Sequence, residues 1–254
     1  MDFSTFPPIA ALLDAAYDAL LALSHLLQPL AGDAAAAASV VLVTLLVRAV
    51  LIPAGVAQAR AEQVRSRLAP RLRELQQRHR RDPERLQREM AKLYADENTS
   101  PLAGCLPLLA QAPVLALVYT LFLHPTIAGH ANALLTEQLL GVPLGMSLLA
   151  AVTVGTATWA TAGVFGAAVG VIVAVAEITR RAYRPPATGA DAALPGASAL
   201  TGIAGALQFT TAVVAVFVPL AAVLYLTTTV VWTLAQRILL RRRFPLAPAS
   251  GATT

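Results

Sequence analysis

One arginine, Arg48, interrupts the apolar stretch VVLVTLLVRAVLIPAG that runs from Val40 to Gly55. If that stretch is a helix ending near Ala57, Arg48 lies about 9 residues, or roughly 14 Å, from its charged end at 1.5 Å per residue. A central arginine costs about 2.5–3.5 kcal/mol to insert into a bilayer, and snorkelling does not recover that depth, so something local must solvate it. Four neutral polar residues fall at similar depth in other apolar runs: Gln111, Gln208, Thr228 and Thr229, each about 12 Å from the nearer charged segment. A cation among hydrogen-bonding groups in a low dielectric can hold an anionic group without covalent chemistry. No metal-ligand cluster, phosphate-binding loop or nucleophile-base-acid arrangement is evident, so neither enzymatic activity nor a cofactor is expected. The single cysteine, Cys105, sits among apolar residues and reads as a small packing residue.

Two readings of these residues compete. Glutamines and threonines often tie helices together, and Arg48 has a conceivable structural partner in Glu177. Glu177, however, has Arg180 and Arg181 within one turn of its own helix. The common depth of the polar set instead points to one water-accessible cavity confined to a single leaflet, because intramembrane polar groups face a bundle interior or a wet cavity.

The elements that must position these residues follow from composition and charge. Of 254 residues, 57% are hydrophobic and 13% charged, more apolar surface than a soluble domain buries. Apart from Arg48, every basic residue falls within Arg60 to Lys92, Arg180 to Arg184 or Arg237 to Arg243. Lysine and arginine near span ends mark the cytoplasmic side. With all three clusters inside, the chain between them must cross an even number of times. The expected fold is an all-α integral membrane protein with five transmembrane helices, N-terminus out and C-terminus in. The spans are 34–57, 102–124, 143–178, 198–218 and 219–238, with a cytoplasmic loop at 179–197 and a basic cytoplasmic tail at 239–254. Pro219 separates the last two because it breaks the hydrogen-bond ladder. The third run is long, and one tilted or kinked helix keeps the parity.

Residues 1–33 are expected to form an amphipathic helix on the outer surface, since Asp14, Asp18, His25 and Gln28 share one helical face. No cleavable signal is expected, because Asp2 stands where a basic n-region would be needed. From 58 to 98 the composition turns charged and the apolar residues take helical spacing: Val64, Leu68, Leu72 and Leu75, then Leu86, Met90 and Leu93. Between the stripes, Asp82 can cap a helix and Pro83 can open it. A cytoplasmic helical hairpin is expected, its arginines either a solvated face or a contact for anionic lipid or RNA.

The arginine-bearing first span, the charged hairpin and SPLAGCLPLLAQAP from Ser100 to Pro113 resemble the YidC/Oxa/Alb family of membrane protein insertases. The resemblance covers most of the chain. Without a large extracytoplasmic domain, it implies the compact Gram-positive-like form, and the arginine- and alanine-rich composition suits an actinobacterial version. The family has a hydrophilic groove, open to the cytoplasm and to lipid, with an arginine on the first span and a glutamine in the second-span motif. Arg48 and Gln111 match these. Leu226 stands where the family often has tryptophan, and the usual methionine-rich loop is replaced by RRAYRPPATGADAALPGAS.

The function implied is insertion and folding of nascent membrane proteins in the bacterial plasma membrane, with the groove receiving their polar ends. Partners implied are those nascent proteins and the lipid bilayer, and at the hairpin and basic tail the ribosome, the Sec translocon or targeting factors. The alternatives are a small anion transporter or channel, which needs a path open on both sides and usually internal repeats, and a scaffold in which the hairpin alone matters.

Overall fold

The structure, a computed structural model, describes residues 7–79, 82–97, 116–117, 120–122, 124, 126–127, 130–182 and 209–245. These are mostly helical. Among them, three helical stretches are long and apolar enough to cross a membrane: Leu13–Val50, Trp159–Ala182 and Leu220–Arg243. The chain is therefore an all-α membrane protein, and its described residues group into two compact units.

The first unit draws on 1–50, 112–184 and 202–234. Helix α1 (Pro7–Ala31) and helix α2 (Ala35–Val50) are joined by a 3-10 turn, Gly32–Ala34. Gly32 has φ +52°, a left-handed conformation that a residue with a Cβ adopts at a cost. The two helices pack together. Leu13, Tyr17, Leu20 and Ser24 form the buried stripe of α1, while Asp18, His25 and Gln28 stay exposed. On α2 the contact is made by Ala36, Ala37 and Val40, small side chains that let helices approach where water exclusion does not drive association.

Between residues 124 and 147 the chain forms two small antiparallel ribbons, β1 (Thr126–Ile127) with β2 (His130–Ala131) and β3 (Gln138–Leu139) with β4 (Val142–Pro143). Leu140 and Gly141 both have positive φ, as a two-residue hairpin turn requires. Buried Asn132 organises this connection, donating to the carbonyls of Leu121 and His124 while its Oδ1 accepts from Leu134 N. The Tyr17 hydroxyl fastens α1 to it, donating to Ala131 O and accepting from Ala133 N at 3.2 Å.

The apolar run that follows is not one helix. Helix α5 (Leu148–Thr153) is capped by the Ser147 hydroxyl, which accepts from Ala150 N at 3.1 Å. It ends at Gly155, φ +74°, with Thr156 N bonded to Ala151 O and Gly155 N to Val152 O. This is the paired pattern by which a left-handed glycine terminates a helix. Helix α6 (Trp159–Ala182) then starts afresh, Thr158 and Thr161 exchanging side-chain to backbone bonds at its N-terminus. Helix α7 (Thr210–Phe217) stops before Val218, whose extended backbone suits a residue preceding proline, and helix α8 (Leu220–Arg243) begins after Pro219. Leu220 N and Ala221 N donate to the carbonyls of Met146 and Leu144, pinning the start of α8 to the start of α5. Phe122, Leu134, Leu144, Phe165, Ile172 and Leu220 fill the core of this unit.

The second unit draws on 51–111 and 235–254. Helix α3 (Ile52–Arg78) opens with proline in its first turn and contains Pro70, and helix α4 (Pro83–Asp96) packs on it. Asp82 caps α4, accepting from Arg85 N at 3.0 Å. Leu68 is buried, and Arg71 reaches Glu97 at 3.7 Å. On hydropathy alone 34–57 is one helix and 58 begins another. In the structure the interruption falls at Leu51 because Pro53 removes a hydrogen-bond donor, and α3 runs unbroken across 57–58. The end of α8 lies along the start of α3. Arg241 pairs with Glu62 at 3.4 Å, Gln63 donates to Pro245 O at 3.0 Å, and the Arg60 guanidinium stands 5.5 Å from the centre of the Phe244 ring. At Gly55 an added Cβ would collide with the Gln236 side-chain amide, which fixes how closely the two helices pass.

Candidate functional site

Arg48 occupies the last turn of α2. The buried residues Val40 and Thr44 precede it at intervals of four, so Arg48 continues the inward stripe of its helix, while Leu46 and Val50 are exposed. Thr44 satisfies its own hydroxyl by donating to Val40 O at 2.7 Å. Arg48 is placed differently. Its Nη2 is buried and has no hydrogen-bond partner among the described residues. A helix C-terminus favours a cation, because the last carbonyls carry partial negative charge. That end is created by the Pro53 break.

On α8 the inward stripe includes Ala222, Tyr225 and Thr229. Tyr225 lies within electrostatic range of Arg48, and Thr229 follows it by one helical turn on the same face. The Thr229 hydroxyl is also buried without a partner among the described residues. Its neighbour Thr228 instead donates to Leu224 O at 2.8 Å and is spoken for by its own helix. An unpaired buried donor costs about 1–3 kcal/mol, more if charged, so among the described residues Arg48 Nη2 and the Thr229 hydroxyl each carry a desolvation cost that no protein partner offsets.

Of the residues singled out by sequence, Arg48 and Thr229 each bury a polar atom that has no partner among the described residues, and Thr228 is bonded to its own helix. Gln111 and Gln208 lie outside the described residues. Glu177 is engaged elsewhere: Arg180 grips both its carboxylate oxygens, at 2.7 and 2.6 Å, and Arg181 adds a further contact. Leu226 packs against the core. Tyr225 is the residue that sequence reasoning passes over. Its signal was position, four residues before Thr229 in YLTTT.

The described geometry is thus that of an apolar helical bundle with a half-buried arginine on an inward face, whose Nη2 has no hydrogen-bond partner among the described residues. The chain belongs to the family described as 60Kd inner membrane protein, whose model matches residues 27–247. This is the YidC/Oxa/Alb family, and the chain is a multi-pass protein of the bacterial plasma membrane. It is similar to the protein named membrane protein insertase YidC of Clostridium perfringens, 42% identical over 84 residues, which is 33% of this chain and 35% of that protein. The YidC of Streptomyces avermitilis is 36% identical over 102 residues, 40% of this chain and 24% of its own length. That of Clostridium tetani is 30% identical over 115 residues, 45% of this chain and 52% of its own. The chain thus spans from about a quarter to about half the length of these curated relatives.

Proposed function

We propose that the chain is a membrane protein insertase and chaperone that receives the polar end of a nascent membrane protein in an inner-leaflet hydrophilic groove centred on Arg48. The observation that carries this is the buried Nη2 of Arg48, which has no hydrogen-bond partner among the described residues; Tyr225 lies within its electrostatic range, and the Thr229 hydroxyl is likewise buried without a partner among them. The names borne by the relatives support the same reading.

In this mechanism an unfolded, often acidic, substrate end enters from the cytoplasm, and Arg48 offsets its charge where the low dielectric magnifies the interaction. The polar path across the membrane is shortened accordingly. The substrate's apolar helix leaves sideways into lipid, driven by transfer at about 25 cal/mol per Å² of apolar surface. Gln111, Gln208 and Thr228 are proposed as further groove residues.

The proposed topology has five spans, N-terminus out and C-terminus in. The surface helix is 1–33, the cytoplasmic hairpin 58–98, and the basic tail 239–254. Hairpin and tail are proposed to meet the ribosome, the Sec translocon or targeting factors. Reconstitution of Arg48→Ala in proteoliposomes tests the reading. Loss of insertion for substrates with acidic translocated ends, without any solute flux in the parent protein, is expected. Solute flux through the parent protein would favour a transporter instead.

A further inference from the structure

Residues 138–176 contain no Asp, Glu, Lys or Arg. As a single helix that run would extend about 58 Å, nearly twice the roughly 30 Å hydrocarbon core. Helix α6, at 24 residues, already reaches about 36 Å and suffices for a crossing. The apolar residues before it are therefore surplus to the span, and the structure gives them a shape of their own.

Helix α5 has two unlike sides. Ala151 is fully buried and Leu148 packs on the core, and the bridge from Ser147 to Pro219 holds this side against the start of α8. The other side is open: Leu149 is 44% exposed, Val152 60%, Val154 in the turn 74%, and Trp159 at the first residue of α6 94%. The left-handed Gly155 lets the chain turn from α5 into α6. A tryptophan so exposed at the end of a span has its preferred surroundings at the boundary between headgroups and acyl chains. The lack of charge throughout this surface, and its continuity with a span-length helix, select lipid over a polar protein partner as its occupant.

We propose that α5, the turn at Val154–Gly155 and Trp159 form an interfacial foot whose partner is phospholipid. It lies in the bilayer boundary at the N-terminal end of α6 and fixes the depth of that helix. The inference depends on α6 being a span and not on the insertase reading.

The chain has two tryptophans, so Trp232→Phe leaves Trp159 as the sole indole emitter under excitation that spares tyrosine; Trp159→Phe gives the same quantity by difference if the first variant folds poorly. The full chain is reconstituted in phosphatidylcholine vesicles carrying bromine either near the headgroup or deep in the acyl chain. Trp159 is expected to be quenched about twofold or more strongly by the shallow bromine, and weakly by aqueous acrylamide, as an interfacial indole would be. Val152→Asp, on the open side of α5, is expected to reduce the shallow quenching. Free access to acrylamide without bromolipid quenching overturns the foot, as does strongest quenching by the deep bromine. Shallow quenching unchanged in Val152→Asp removes α5 from it.

Discussion

Glu177 holds Arg180 through two hydrogen bonds, 2.6 and 2.7 Å long, that close on both carboxylate oxygens. The acid that the sequence offers as a conceivable counter-ion for Arg48 is thereby committed to its own helix. Glu177→Gln is accordingly expected to leave insertion of acidic-ended substrates within about twofold of the parent, its effect falling on the last turn of α6 as a weak i,i+3 pair is lost. The check is the initial insertion rate in proteoliposomes alongside Arg48→Ala. A loss in Glu177→Gln as large as that in Arg48→Ala would make the two a functional pair.

The two adjacent threonines are expected to separate. Thr229→Val removes a buried hydroxyl that has no partner among the described residues, which should raise thermal stability in detergent by about 1 kcal/mol while slowing insertion several-fold. Thr228→Val removes a groove hydroxyl that is already bonded to Leu224 O and should slow insertion by much less than Thr229→Val does. Equal rates for the two variants would take Thr229 out of the groove.

Glu62 and Arg241 join the start of α3 to the end of α8. Reversing one charge, Glu62→Arg or Arg241→Glu, puts like charges together, and reversing both restores the attraction. Limited proteolysis of the full chain should show faster cleavage near residue 60 in each single variant and parental protection in the double, with a coupling of about 0.5–1 kcal/mol for a partly exposed pair. Additive effects would mean the contact holds nothing.

Two glycines test the helix boundaries. Both have open space where a Cβ would go, but Gly155 has φ +74° and Gly163 lies within α6. Gly155→Ala should cost about 1–2 kcal/mol from backbone conformation alone, whereas Gly163→Ala should cost nothing or stabilise by up to about 1 kcal/mol. Thermal unfolding in one detergent measures both.

These residues also show what sequence makes legible. A lone arginine in an apolar run is conspicuous, and its inward direction follows from Val40 and Thr44 at intervals of four. Hydropathy is blind to backbone breaks, however. Pro53 stands inside one apolar stretch and Gly155 inside a later one; the first breaks its helix by lacking an N–H and the second by its left-handed backbone, and neither changes the apolar average. Thr228 and Thr229 look alike as letters because their difference is which one turns to its own helix and which faces the interior. Tyr225 passes as one more bulky apolar residue until Arg48 is seen near it. The contacts of Glu62 with Arg241 and Gln63 with Pro245 join segments about 180 residues apart, beyond any local pattern.

The central claim is that the charge of Arg48 offsets acid in the incoming chain. The most direct measurement is the insertion rate of one single-span substrate whose translocated end carries none, one, two or three acidic residues, compared between the parent protein and Arg48→Ala in otherwise identical vesicles. The parent should insert the one-acid version at a rate close to the neutral one and slow only with the second and third acids, whereas Arg48→Ala should already fall about tenfold at the first, a drop that corresponds to about 1.4 kcal/mol. The same dependence on acidic residues in both proteins would contradict the account.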